Sequence, residues 1–187
     1  MIISVIGDCD KRPVIYCMIK VMQEFGSVLY LTSNSSALRL TPNRLSGEHY
    51  QNTMVVYTED GFDDYFDNCG YTPDDFGCVL LDNVECAEAD LTVYVAGMVQ
   101  SPAESAVLEY TEEYSTINLF SRSVYDGSIM RKVEEFEAFS NLCPMPYKVV
   151  SAVVPVLSKL HLAESKALMK IANREGAGAQ MKKRRFI

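Results

Sequence analysis

A chain of 187 residues has the length of one domain with room for a tail. With 48% hydrophobic and 22% charged residues, it has the composition of a globular protein and not of a disordered or collagen-like chain. A chain this long buries roughly 70% of its unfolded surface and needs no disulfide or metal staple to fold. Its net charge of −8 argues against a body that coats nucleic acid, because phosphate repels such a surface. The average conceals an asymmetry. Residues 157–187 carry eight Lys/Arg against two Glu, net +6, which leaves nine cations against 23 acids, net −14, on residues 1–156.

The apolar run Ile2–Ile6 ends at Gly7 and predicts a strand buried on both faces. Asp10 is expected to cap the helix that follows, with Pro13 in its first turn. In that helix Val14, Ile15, Met18, Ile19, Val21, Met22 and Phe25 recur at three-and-four spacing, and Gly26 is expected to close it. Val28–Leu31 reads as a second strand. The polar stretch Thr32–Asn52 reads as loop with room for a short helix. Thr53–Tyr57 reads as a third strand, and Asp60–Gly70 as a short helix stopped by its glycine.

Phe76–Asp82 predicts a fourth strand that ends in a carboxylate, and Asp90–Ala96 a fifth. Ser101-Pro-Ala-Glu104 is a helix start, with a serine cap, proline at the first position and glutamate at the third, and the helix is expected to run to about Tyr114. Thr116–Phe120 reads as a strand, Arg131–Asn141 as a helix, and Tyr147–Val153 as extended. A basic helix is expected from about Pro155 to Asn173. The reading is one domain over 1–175 and a basic, mobile tail over 176–187. Short strands alternating with helices imply crossover units. The fold class is therefore α/β, with three layers: a mostly parallel central sheet covered by helices on both faces.

None of the six cysteines (9, 17, 69, 78, 86 and 143) forms a C-x-x-C pair, and neither His49 nor His161 has a cysteine at metal-motif spacing. Cys17 falls in a helical pattern and Cys78 in an apolar strand, so reduced, buried thiols are expected. The N-terminus lacks a basic region and turns acidic within eight residues, unlike a signal peptide, and no apolar run reaches the ~20 residues of a membrane span. A cytoplasmic protein is expected, with the tail able to bring it to a membrane surface.

The run Asp74-Asp-Phe-Gly-Cys-Val-Leu-Leu-Asp82, then Ala89-Asp-Leu-Thr-Val-Tyr-Val-Ala96, then Ser101-Pro-Ala-Glu-Ser105, resembles the centre of a ParA/MinD-type P-loop ATPase. In that family an apolar strand ends in a Walker B aspartate, and the opening strand, glycine turn and helix carry the phosphate loop. The likeness covers roughly residues 1–120. It implies a P-loop NTPase-like fold, with Gly7, Lys11, Arg12 and Asp82 as the remnant of a nucleotide site. The turn departs from the pattern. Gly7-Asp8-Cys9-Asp10-Lys11-Arg12-Pro13 holds one glycine and no Gly-Lys-Ser/Thr, whereas a phosphate loop needs several free backbone N–H groups and a reaching lysine. Asp8 and Asp10 place negative charge where a triphosphate would lie. The expectation is a non-catalytic binding or assembly module that needs no cofactor, with a divergent nucleotide-binding ATPase as the alternative.

Each candidate also has a plainer reading. Asp82 suits a metal-holding carboxylate or a strand-end cap. Lys11 and Arg12 suit an anion grip or two solvated cations, which the helix dipole mildly disfavours at a helix start. Asp60, Asp63, Asp64 and Asp67 share one helical face, either solvated or turned to a basic partner. No Ser-His-Asp or Cys-His arrangement assembles. Lys182, Lys183, Arg184 and Arg185, followed by Phe186 and Ile187, join four cations to two apolar groups. Such a tail suits anionic lipid, nucleic-acid phosphate or the acidic body of another copy, and makes a tether through nucleic acid or membrane the third functional reading.

Overall fold

The computed structural model describes residues 1–7, 9, 11–96, 115–118 and 153–160. Seven strands form one sheet: β1 (Ile2–Ile6), β2 (Val28–Thr32), β3 (Glu48–Tyr50), β4 (Thr53–Tyr57), β5 (Cys78–Asp82), β6 (Leu91–Ala96) and β7 (Ser115–Asn118). Their order across the sheet is β3-β4-β2-β5-β1-β6-β7. All neighbours pair in parallel except β3, which runs antiparallel to β4 at one edge. Between strands lie α1 (Arg12–Met22) and α2 (Phe62–Cys69), with 3-10 turns at Ser35–Leu40, Pro73–Asp75 and Ser158–Leu160.

Parallel strands are buried on both faces, which explains the near-continuous apolar runs of β1, β2 and β5. Side chains alternate across the sheet, so the core divides in two. One face gathers Ile3, Val5, Val28, Tyr30, Val55, Leu80, Val93 and Val95 under α1 and under Val153, Val154, Val156 and Leu157. The opposite face gathers Leu29, Leu31, Met54, Val56, Val79 and Leu81 under Phe62, with Tyr65 and Phe66 of α2 packed against them. Helical residues therefore cover both faces, and the three-layer α/β reading holds. Residues 153–157 are helical, so Val153 belongs to a helix and not to the end of an extended run; its full burial against the α1 face favours that placement.

Three local expectations need correction. The residue that caps α1 is Lys11 and not Asp10, and it offers no side-chain cap; its carbonyl accepts from the Val14 and Ile15 N–H groups at 2.9 and 3.0 Å. The same helix ends at Met22, with Gln23 as its C-cap, short of Gly26. Gly26 serves close packing instead: a Cβ added to Gly77 would meet the Gly26 Cα at 3.0 Å, so the entries to β2 and β5 pass backbone against backbone. Finally, the stretch expected as loop contains β3. Gln51 and Asn52 join β3 to β4 with φ of +49° and +61°, both positive as a type I′ hairpin turn requires. The Asn52 carbonyl accepts from Val28 N–H at 2.9 Å, and its carboxamide donates to the Gly26 carbonyl at 2.9 Å, which holds the hairpin to the sheet.

The expected short helix over 60–70 is α2, ended by Gly70 in the left-handed conformation at φ +75°. β7 covers part of the strand expected over Thr116–Phe120 and begins one residue earlier. The helices expected over 101–114 and 131–141, the body of the basic helix after Leu160 and the tail lie outside the described residues.

Candidate functional site

In the strand order, chain leaving β1 travels toward β2 on one side, while chain leaving β5 passes over β1 to β6 on the other. The carboxyl ends of β1 and β5 therefore flank a point where the direction of winding reverses. In open α/β sheets, crevices that receive ligands form at such points. Four of the sequence-derived residues belong to this place by connectivity: Gly7 follows β1, Lys11 and Arg12 open α1, and Asp82 ends β5.

Register decides which of them meet. Thr32 pairs with Asp82, Tyr30 with Leu80, and Val5 with Asp82. With the two-residue alternation of strands, Tyr30, Thr32 and Asp82 all face the layer containing α1. There the Lys11 ammonium lies 3.1 Å from Asp82 Oδ1 and also donates to the Gly7 carbonyl. The second carboxylate oxygen, Oδ2, accepts from the Tyr30 hydroxyl at 2.8 Å and the Thr32 hydroxyl at 2.9 Å. Lys11 is 7% exposed and Asp82 6%. The reading of Lys11 as a solvated cation is thus corrected: its charge is neutralised inside the protein. The strand-end-cap reading of Asp82 is incomplete in the same way, because its carboxylate is the hub of a buried network. Burying a lone charge is prohibitive, and these four contacts are what allow it.

A second set of bonds holds Gly7, the residue that follows β1. Asn83, directly after β5, accepts from the Gly7 N–H and donates to the Gly7 carbonyl, both at 3.2 Å, while its own N–H bonds the Val5 carbonyl at 3.1 Å. Both ends of this clasp need unusual backbone: Gly7 has φ +131° and Asn83 φ +52°. The first is open only to glycine, and the second suits asparagine better than most residues. On the opposite side the Cys9 thiol donates to the Val95 carbonyl at 3.1 Å, so the turn is also tied to β6. Among the described residues, no buried side-chain nitrogen or oxygen lacks a partner.

Arg12 is half-buried at the first position of α1. Asp60, Asp63, Asp64 and Asp67 are exposed, but Asp60 precedes the Gly61 cap of α2, so the helical face carries three of the expected four carboxylates. No group of three or more His, Cys, Asp or Glu able to hold a metal ion occurs among the described residues. The described cysteines, Cys9, Cys17, Cys69, Cys78 and Cys86, are reduced thiols outside any disulfide. Burial pushes the Cys78 thiol up to about 12. No helix among the described residues is long and apolar enough to cross a membrane. Lys182, Lys183, Arg184, Arg185 and Phe186 lie outside the described residues.

Sequence reasoning missed Tyr30, Thr32 and Asn83. A faint signal existed: Tyr30 and Thr32 are two apart in a strand otherwise apolar, at the end where parallel sheets keep their polar groups, and Asn83 follows the singled-out aspartate. The arrangement can hold a charged pair away from water and hold the Gly7 peptide in place. Comparison with protein-family models, with curated proteins and with solved structures returned no match.

Proposed function

We propose that this chain is a non-catalytic, ParA/MinD-like binding or assembly module with a P-loop NTPase-like fold, acting through contacts with a protein partner or another copy of itself. The observation that carries this reading is the Lys11–Asp82 pair, buried at both ends. The ammonium that would reach a phosphate and the carboxylate that would hold a magnesium ion neutralise each other. The rest of the turn agrees: one glycine, Asp8 and Asp10 nearby, and a Gly7 N–H already committed to Asn83. A phosphate would have to displace these bonds and meet negative charge on arrival. On this reading the chain works in the cytoplasm, and Lys182–Arg185 with Phe186 give it a further contact with nucleic-acid phosphate or anionic membrane.

The second reading, a divergent nucleotide-binding ATPase, draws on the position of the same pair where the winding reverses between β1 and β5. Calorimetry with magnesium-ATP separates the two. The module reading expects no saturable heat at millimolar nucleotide, and a light-scattering mass that nucleotide does not change. Saturable heat that disappears in Asp82→Asn makes the chain a nucleotide-binding protein and overturns the module reading. Deletion of residues 181–187 is expected to abolish any salt-sensitive binding to DNA or anionic vesicles; binding that survives the deletion removes the tail from the account.

A further inference from the structure

The acceptors around Lys11 form a distinct shape. The Gly7 carbonyl and Asp82 Oδ1 converge on the ammonium, Asp82 Oδ2 is filled by Tyr30 and Thr32, and Asn83 holds the Gly7 peptide from both of its polar ends. The carbonyl and the carboxylate oxygen are therefore aimed by other residues and not by the lysine itself. A primary ammonium suits such a cup. It brings the positive charge that the buried carboxylate requires and up to three N–H donors for nearby oxygens. A divalent metal ion would want six or more oxygen ligands, and among the described residues two converge here.

We propose that the ends of β1 and β5 form a primary-ammonium site, filled in cis by the Lys11 side chain as a tethered ligand. The lysine stem supplies the tether, because Lys11 is the N-cap residue of α1. The inference concerns what the cup recognises and does not depend on whether the chain assembles or binds nucleotide; its failure leaves the module reading untouched, and the converse also holds.

The test is replacement of the excised side chain by a free molecule. Lys11→Ala removes three methylenes and the ammonium, the atoms of n-propylammonium. The variant is expected to melt about 10 °C below the parent, from the loss of a buried charge partner in a chain of this size. Adding 100 mM n-propylammonium chloride is expected to recover at least about 3 °C through mass action on the folded state. The unsubstituted protein shows no gain, and tetramethylammonium, which has no N–H, does not replace the amine. In Lys11→Ala/Asp82→Asn the rescue is expected to vanish. If Lys11→Ala is unfolded without additive, the same titration is followed as recovery of native circular dichroism, with the same amines compared. No recovery with n-propylammonium, equal recovery with tetramethylammonium, or recovery that persists without the Asp82 charge each overturns the assignment.

Discussion

The Lys11–Asp82 pair makes a quantitative prediction about stability. Removing one member leaves the other charged and buried, since the two are only 7% and 6% exposed. Breaking a buried pair from one side costs about 3–5 kcal/mol, whereas neutralising both sides together is often close to neutral. Lys11→Met keeps the stem but leaves the Asp82 carboxylate, among the described residues, with the Tyr30 and Thr32 hydroxyls alone. Asp82→Asn keeps the shape but presents an amide where Lys11 needs a carboxylate. Each single variant is expected to lose about 3–5 kcal/mol, equivalent to roughly 6–20 °C in Tm for a chain of this length. Lys11→Met/Asp82→Asn is expected to lose about 0–2 kcal/mol, giving a coupling energy of at least about 4 kcal/mol. Urea unfolding of the four proteins, read from midpoints at constant m-value, measures it. Additive losses, with the double variant as unstable as the sum of the singles, would refute the argument that the two charges compensate one another.

Asn83→Ala is expected to lose about 2–3 kcal/mol, because two hydrogen bonds to Gly7 go and an alanine is left at φ +52°; Asn83→Gly, free of that strain, should lose less in the same urea titration. Gly77→Ala is expected to cost about 1–3 kcal/mol, since the new methyl would press on the Gly26 backbone at 3.0 Å, and a melting curve indistinguishable from the parent's would contradict the close approach of β2 and β5. The Cys78 thiol, raised by burial to about 12 against an ordinary value of 9.0, stays protonated in the folded protein while the unfolded chain loses that proton above about pH 9. Its contribution to stability is complete below pH 9 and is lost as the pH climbs toward 12. Cys78→Ala should therefore show a shallower alkaline decline, although a lower starting stability, in denaturant midpoints taken between pH 8 and 11.

The layer architecture was legible in the sequence because it rests on local pattern. A strand buried on both faces must be apolar throughout, and α1 must repeat its apolar residues every three or four positions to lie on the sheet, so β1, α1, β2, β4, β5 and β6 stood out from composition and spacing alone. Asp82 and Lys11 were visible as individual candidates for the same reason, one at a strand end and the other at a helix start. Other features had no local signature. The β3–β4 hairpin turns on Gln51 at φ +49°, a conformation that glutamine does not advertise, and it is held by Asn52 reaching Gly26 and Val28 across the sheet. The clasp between Gly7 and Asn83 spans 76 positions and that between Tyr30 and Asp82 spans 52, so the strand order had to exist before either could form. Whether Lys11 met water or a carboxylate was settled in the same way. A lysine at an N-terminal helix position is ordinarily solvated, and only the parallel pairing of β1 with β5, which sets Asp82 level with Val5, places a counter-charge within its reach and removes both groups from solvent.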